Sequence, residues 1–165
     1  GMLRAKDITQ TVPFDATPAV VYRALVDAKQ HALMTGSRAT NDGKVGGTFS
    51  AYDAYIVGFN IELSKGERIV QAWRANDWSD GAWSIARFEL KPAGTGGTRL
   101  VFTHHGVPDS HHKGISQGWK DYYWTPLGAW LSERAKRSGK TRATKSGKTK
   151  ATRSGKTKAT KRKAR

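Results

Sequence analysis

The pattern of apolar positions predicts a strand and two helices at the start of the chain. Apolar and polar residues alternate over residues 6–14, as in a strand with one buried face. Thr17 and Pro18 then supply a helix N-cap and a first helical residue. The apolar residues that follow recur at helical spacing. We therefore predict a helix near residues 18–28 and a second short helical segment around residues 29–34.

Strands dominate the middle of the chain. The predicted strands span residues 48–52, 55–64, 67–74, about 83–91 and 98–105. In the second of them, large apolar residues alternate without a break. In a regular strand, Trp83 and Ile85 would point to the opposite face from Phe88 and Leu90. This predicts either a β-bulge or a strand that is covered on both faces.

The last predicted element is a long helix over about residues 116–134. Pro126 lies inside it, where it removes one hydrogen bond and clashes with the carbonyl of Tyr122, so a kink is expected. The residues at helical spacing form one broad aromatic face: Ile115, Trp119, Tyr122, Tyr123, Leu127, Trp130 and Leu131.

Strands that are joined by short turns and followed by one long helix predict an α+β domain over residues 2–133. The expected architecture is a curved antiparallel β-sheet that grips the C-terminal helix. The gap between the sheet and the helix could then hold a cavity for a ligand.

Charge divides the chain into two parts. The 165 residues carry a net charge of +16, but residues 134–165 hold 15 of the 29 Lys and Arg and none of the 13 Asp and Glu. Residues 1–133 are left with 14 cations and 13 acids, which makes them nearly neutral. Residues 137–160 repeat one eight-residue unit three times and contain no apolar residue larger than alanine. Such a segment buries too little apolar surface to fold, so we expect residues 134–165 to form a disordered tail.

The tail predicts either a polyanion-binding arm or a solvated, solubilising segment. Lys and Arg that contact phosphates release counterions, and without aromatic residues this binding is indifferent to base sequence. DNA or RNA is therefore a candidate partner, and we expect a cytoplasmic protein that associates with the nucleoid if the tail binds DNA. The candidate contact residues are Arg137, Lys140, Arg142, Lys145, Lys148, Lys150, Arg153, Lys156, Lys158, Lys161, Arg162, Lys163 and Arg165.

Four stretches carry a family resemblance. They are VYRAL at 21–25, VGGTFSAYDAYIVGFNIELSKGERIVQAWRANDWSDGAW at 45–83, TRLVFTHHGVP at 98–108 and GWKDYYWTPLGAWL at 118–131. Together they resemble the domain homologous to the C-terminal half of the activator of heat-shock-protein-90 ATPase. That family belongs to the START-like (SRPBCC) helix-grip superfamily, and the resemblance covers nearly all of residues 3–133.

The resemblance implies a helix-grip fold with a cavity between the sheet and the long helix. Superfamily members bind lipids, sterols and aromatic metabolites, some are enzymes, and some act only through protein contacts. The implied partners are therefore a hydrophobic small molecule or a chaperone, the latter with a role in the stress response. No run of apolar residues approaches the length of a membrane span.

His104 is the candidate polar residue of the cavity. It alternates in step with Leu100 and Phe102, so it should lie on the same face of the strand, the one that meets the long helix. There it could contact a ligand or act as a general acid or base. The alternative is a packed histidine that is satisfied by a neighbouring hydroxyl. The residues predicted to line the cavity are Trp73, Phe88, Phe102, His104, Trp119, Tyr122 and Tyr123; rings at helical spacing also suit an ordinary core.

No metal site or cofactor is predicted. His104 and His105 point to opposite faces of a strand, and His111 and His112 are expected in a solvated loop. The sequence contains no cysteine and no nucleophile motif, which favours a non-enzymatic domain. Three hypotheses remain: a ligand-binding domain with a nucleic-acid-binding tail, a chaperone-associated protein, and an enzyme that uses His104.

Truncation after Glu133 tests the role of the tail. We expect the melting temperature to stay nearly unchanged and most of the retention on immobilised DNA at low salt to disappear. The full chain should show a log-log salt slope of roughly −0.9 for each phosphate engaged. Equal retention of the truncated protein would show that another surface binds DNA.

Overall fold

The computed structural model describes residues 4–138, so most of the predicted tail, residues 139–165, lies outside the described range. The strands are β1 (Ala5–Phe14), β2 (Thr40–Asn41), β3 (Thr48–Ala51), β4 (Ile56–Ser64), β5 (Arg68–Ala75), β6 (Ser84–Ala93) and β7 (Gly97–Pro108). Between β1 and β2 lie α1 (Pro18–Val26) and α2 (Ala28–Thr35). After a 3₁₀ turn (Asp109–His111), the C-terminal helix comprises α3 (His112–Trp119), a π-helical turn (Lys120–Trp124) and α4 (125–138).

The seven strands form one antiparallel sheet in the order β1-β7-β6-β5-β4-β3-β2. Every neighbouring pair runs antiparallel, from β1 with β7 to β2 with β3. The C-terminal helix covers the inner face of this sheet, so the predicted α+β helix-grip class is confirmed.

Both predicted short helices are present and α1 begins at Pro18 as predicted, but α1 ends at Val26 and α2 begins at Ala28, so the boundary between them lies earlier than expected. Thr17 caps α1 by accepting from the backbone N–H of Val20, and Pro18 occupies the first turn. Asp27 ends α1 and caps α2 by accepting from the N–H of Gln30 at 3.0 Å. Because the Thr17 cap is a local side-chain hydrogen bond, residue identity predicts the start of α1.

Strand β4 turns its large apolar residues away from the C-terminal helix. Its most buried positions are Ile56, Gly58 and Asn60. By contrast, Phe59 is 41% and Ile61 is 40% exposed on the outer face. A Cβ at Gly58 would lie 2.6 Å from the ring of Phe49, so this inward position requires glycine. The pairing of β4 with β5 shifts in register between Asn60 and Glu62.

Strand β6 is regular, so the predicted bulge is wrong. It pairs with β7 in one continuous register from Ile85 to Ala93. Ile85 and Trp83 alternate out of step with Phe88 and Leu90 of the inner face because they lie on the outer face. There the Trp83 ring packs 5.9 Å from Phe59 and 5.8 Å from the guanidinium of Arg74.

A π-helical turn determines which aromatic residues of the C-terminal helix reach the sheet. Its hydrogen bonds join residues five apart, so positions i and i+5 come to lie on one face. Trp119 and Trp124 consequently stack, with ring centroids 5.4 Å apart and planes 19° apart. Both rings pack on Phe102, at 4.4 and 5.1 Å. The buried face continues at α-helical spacing through Leu127 and Leu131.

This register corrects the predicted aromatic face of the helix. Tyr122 was expected on that face but is 60% exposed, whereas Trp124 is buried. Regular 3.6-residue spacing assigned Tyr122 inward because it assumed an unbroken α-helix. The π-helical turn adds one residue and moves Trp124 into the core instead.

A π-helical turn, Lys120–Trp124, lies directly before Pro126, near which the sequence predicts a kink. Pro126 has no N–H to offer the carbonyl of Tyr122, four residues earlier. The phenol of Tyr52 donates to that carbonyl at 2.5 Å. Pro126 therefore leaves the carbonyl of Tyr122 available to bind Tyr52 of the β3–β4 turn.

Candidate functional site

The residues predicted to line a cavity divide into two groups. Tyr122 is exposed, and the remaining side chains are buried together between sheet and helix: Trp73, Phe88, Phe102, His104, Trp119 and Tyr123. Neighbouring rings in this cluster are in contact, with centroids 4.7 Å apart for Trp73 and His104. The space between the sheet and the helix is therefore largely filled by the rings themselves.

Both ring nitrogens of His104 are hydrogen-bonded in this interior. The indole N–H of Trp119 donates to Nδ1 at 3.0 Å. Nε2 lies 2.7 Å from Oγ of Ser84, whose hydroxyl donates to the carbonyl of Trp73 at 2.7 Å. A hydroxyl has one proton, so Oγ must accept from His104, which assigns the ring proton to Nε2.

This environment holds His104 neutral. Burial first, and the neighbouring His105 second, lower its pKa to about 3 against an opposing effect of Asp7. A general base needs a free nitrogen within reach of a substrate, but both nitrogens are bonded and the side chain is fully buried. His104 is therefore placed to link the sheet to the C-terminal helix through its two hydrogen bonds.

A second buried histidine, His31 on α2, was missed by the sequence analysis. Its Nδ1 donates to the carbonyl of Leu25 at 3.1 Å, and its Nε2 accepts from the phenol of Tyr123 at 3.0 Å. Burial lowers the pKa of His31 and raises that of Tyr123, so both are neutral. The spacing of His31 from the buried Met34, three residues later, was the signal that could have found it.

An open cleft of about 610 Å³ lies beside the buried cluster, between the β3–β4 turn and the C-terminal helix. Its lining combines aromatic, aliphatic and small residues, and no Lys, Arg, Asp or Glu is among them. The lining residues are Tyr52, Tyr55, Ile56, Trp73, Ser110, His111, Gly114, Ile115, Gly118, Trp119, Tyr122 and Tyr123. The cleft therefore offers a mainly apolar surface to a guest.

The β3–β4 turn forms one wall of the cleft in an unusual backbone conformation. Tyr52, Asp53 and Ala54 have φ values of 50°, 57° and 67°, three consecutive non-glycine residues in the left-handed region. Each costs roughly 1–2 kcal/mol. The ion pair between Arg38 and Asp53 and the hydrogen bond from Tyr52 to the Tyr122 carbonyl hold the turn against this cost. Such strain is often found at functional sites.

Two glycines of α3 leave the helix wall of the cleft open. A Cβ at Gly114 would meet no atom within 4 Å, and one at Gly118 would meet only the ring of Tyr122, at 3.8 Å. A guest can therefore approach the helix backbone at both positions. Side chains introduced here would enter the cleft without disturbing the core.

Two of the remaining histidines, His105 and His112, join β1 to neighbouring elements through Asp7. Asp7 lies 3.1 Å from His105 through its carboxylate and accepts from His112 through its carbonyl at 2.9 Å. His111 and His112 lie in the 3₁₀ turn and at the start of α3, half-buried, so the expected solvated loop is wrong. Within residues 4–138, no group of three His, Asp or Glu side chains could hold a metal ion.

The nucleic-acid residues predicted for the tail lie almost entirely outside the described range. Arg137 is within it, in the helical segment. The other predicted contacts, from Lys140 to Arg165, lie beyond residue 138. The tail therefore remains a prediction from composition.

Comparison with known proteins assigns the family. The family model described as "Activator of Hsp90 ATPase homolog 1-like protein" matches residues 15–132. The chain belongs to this family. The region shared with the Hsp90 ATPase activator homologues runs from the end of β1 into α4, and it includes His104 and every residue that lines the cleft.

Three relatives illustrate the similarity. A Dictyostelium discoideum protein named activator of 90 kDa heat shock protein ATPase homolog is 32% identical over 118 residues, 72% of this chain and 30% of that protein. A mouse protein named homolog 2 of the same activator is 23% identical over 125 residues, 76% of this chain and 38% of that protein. The crystal structure of an HSP90 activator from Plasmodium falciparum is 26% identical, with a TM-score of 0.73, and covers 76% of this chain and 96% of that chain.

The chain spans about a third of the length of the curated activator homologues that it matches. It aligns with nearly the whole of the Plasmodium chain. In the part of the chain that the structure describes, none of the helices has both the length and the apolar character that a membrane crossing requires.

The buried His104 predicts a pH dependence of stability. The unfolded histidine binds a proton below about pH 6.5, whereas the folded one does not until about pH 3. The free energy of unfolding should therefore fall as pH decreases from 6.5 towards 3, by up to about 1.4 kcal/mol per pH unit for this group. The lowered pKa of His31 acts in the same direction.

Urea unfolding of wild type and His104→Gln between pH 6.5 and 5 measures this contribution, since glutamine does not titrate. We expect the variant to be less stable at pH 7 but to depend less steeply on pH. Equal slopes in the two proteins would contradict the assignment of His104 as the buried neutral group.

Proposed function

We propose that the domain is a non-enzymatic binding module that takes an apolar or aromatic small molecule in the cleft between the β3–β4 turn and the C-terminal helix. The observation that carries this proposal is the cleft itself. Its volume of about 610 Å³ lies within the range of roughly 300–1,000 Å³ that is usual for small-molecule sites.

The chemistry of the lining supports an uncharged guest. Tyr55 and Tyr122 present exposed aromatic rings, and the half-buried Ile115 adds aliphatic surface. Exposed aromatic rings next to open helix backbone suit a flat molecule, because a ring can stack or pack edge-on against them. A charged guest would find no opposite charge in this lining.

The position of His104 supports binding rather than catalysis. Its two nitrogens serve Ser84 and Trp119, and it is absent from the cleft lining. A catalytic role would require the ring to break both bonds and leave the core. The third hypothesis, an enzyme that uses His104, is therefore the least favoured.

Gly118→Leu tests the cleft. A leucine side chain at this position fills the space above the helix, so we expect affinity for neutral aromatic probes to fall at least about tenfold, or ~1.4 kcal/mol. Suitable probes are 4-phenylphenol and 4-methylbiphenyl, titrated by calorimetry. The melting temperature should not fall, since leucine favours a helix over glycine by about 0.5–1 kcal/mol.

Gly128→Ala is the matched control for this variant. It makes the same kind of helix-favouring change, its Cβ meets only the ring of Phe14 at 3.9 Å, and it lies outside the cleft. Probe affinity should remain at the wild-type level. If neither probe binds the wild-type protein, the cleft proposal is rejected.

A second candidate function is a contact with a chaperone of the 90 kDa heat-shock class. Membership of the activator family and the names of the three relatives favour it. The outer face of the sheet carries an exposed aromatic pair, Phe59 and Trp83, at 41% and 45% exposure. Exposed aromatic residues of this kind are typical anchors of protein interfaces.

The chaperone's ATPase rate, measured with rising amounts of this protein, tests the second candidate. We expect the rate to change, and Phe59→Ala with Trp83→Ala to raise the half-maximal concentration roughly tenfold. Gly118→Leu, on the other side of the sheet, should behave as wild type. An unchanged rate at saturating wild-type protein would reject the chaperone role.

For the tail we propose sequence-independent binding to nucleic acid. The support is its composition, with 15 cations and no acid over residues 134–165. Counterion release from phosphates then supplies the binding free energy and makes it dependent on salt. Truncation after Glu133 distinguishes this role from a solubilising one.

A further inference from the structure

Two cavities meet at three aromatic residues. Beside the open cleft of about 610 Å³ lies a small inner cavity of about 20 Å³. Trp73, Trp119 and Tyr123 line both of them. These rings are therefore the partition between the cleft and the interior of the domain.

The inner cavity contains hydrogen-bonding groups among apolar walls. The polar side chains His31, Thr40, Asn41, Ser50 and Gln71 share its lining with apolar residues that include Phe49, Ile69 and Phe88. No Lys, Arg, Asp or Glu lines it. Its volume has room for about one water-sized group, such as a single hydroxyl. From the cleft inwards, the space thus narrows from about 610 Å³ to about 20 Å³ and reaches amide side chains that the cleft lining lacks.

The hydrogen bonds that are already made define what the inner cavity can still accept. Tyr123 donates its hydroxyl proton to His31, which leaves the phenolic oxygen able to accept. The amide of Gln71 donates to Oδ1 of Asn60 at 3.2 Å and retains a carbonyl oxygen. Each of these two uncharged acceptors can take a hydrogen bond from a neutral donor.

Tyr123 is the ring of the partition that hydrogen-bonds directly to a polar residue of the inner cavity. Trp119 is held by its hydrogen bond to His104, and Trp73 is packed against both of these rings. Tyr123 instead belongs to the π-helical turn, and its one side-chain hydrogen bond is to His31. π-helical turns of this kind occur frequently at functional sites.

We propose that the cleft and the inner cavity are two chambers of one site, which takes a flat aromatic molecule with an uncharged hydroxyl at one end. The aromatic body lies in the cleft, and the hydroxyl passes Tyr123 and donates to the acceptors of the inner cavity. This inference rests on the proposed ligand-binding function of the cleft. It adds the class of ligand and its orientation.

A matched pair of probes tests the two-chamber site. 4-Phenylphenol and 4-methylbiphenyl have nearly the same shape and differ in one hydroxyl. An apolar cleft by itself would bind the methyl compound at least as well, because methyl is the more hydrophobic group. We expect wild type to bind the hydroxyl compound roughly tenfold more tightly by calorimetry.

Two variants separate the chambers. Gln71→Leu removes an inner acceptor at similar volume, so the preference for the hydroxyl compound should largely disappear while the methyl compound still binds. Tyr123→Phe keeps the ring but frees Nε2 of His31, to which the guest hydroxyl can donate instead, so the preference should persist. The side-chain amide NMR signals of Gln71 and Asn60 should shift with 4-phenylphenol and stay in place with 4-methylbiphenyl.

The outcomes distinguish this inference from the proposed function. If wild type binds both compounds equally, and Gly118→Leu abolishes binding while Gln71→Leu does not change it, the cleft stands and the inner chamber is rejected. If wild type binds neither compound, the ligand-binding function itself is rejected. A hydroxyl preference that Gln71→Leu removes supports both.

Discussion

The stacked pair of Trp119 and Trp124 is the contact on which the rest of the domain depends. The two rings lie 5.4 Å apart and pack together on Phe102 of β7, so they join the C-terminal helix to the centre of the sheet. Residues five apart share a face only in a π-helical turn. The core therefore requires this irregular turn, and Pro126, which disfavours a regular helix at this point, is consistent with it.

The same turn determines what the domain presents to solvent. Because Trp124 takes the inward position, Tyr122 is displaced to the rim of the cleft, and its carbonyl receives the phenol of Tyr52. The β3–β4 turn, with its three left-handed residues, is attached to the helix through this bond. Core packing and the shape of the candidate site thus follow from one local change in helix geometry.

The polar groups of the interior are arranged as neutral pairs. His104 joins Ser84 to Trp119, and His31 joins Leu25 to Tyr123, in each case with one ring nitrogen donating and the other accepting. Buried neutral pairs avoid the high cost of an isolated buried charge. They also explain why a histidine inside a helix-grip domain of the Hsp90 activator family serves structure, whereas the candidate binding surface lies beside it.

Local sequence patterns were enough for the two short helices, most of the strands and the α+β class, whereas the two-residue strand β2 was not predicted. Thr17 with Pro18 fixed the start of α1, and apolar spacing located most strands, because capping and periodicity depend on residues a few positions apart. Charge likewise separated a nearly neutral domain from the basic tail, since composition needs no structure.

The tertiary structure decided what depends on distant partners. Tyr52 meets Tyr122 across 70 residues, and His31 meets Tyr123 across 92. Neither contact has a periodic signature. Regular spacing also cannot represent the residue inserted by a π-helical turn, so it placed Tyr122 inside and omitted Trp124. The cleft, the inner cavity and the neutral, doubly hydrogen-bonded state of His104 all depend on contacts between distant residues. They therefore became visible only in the folded chain.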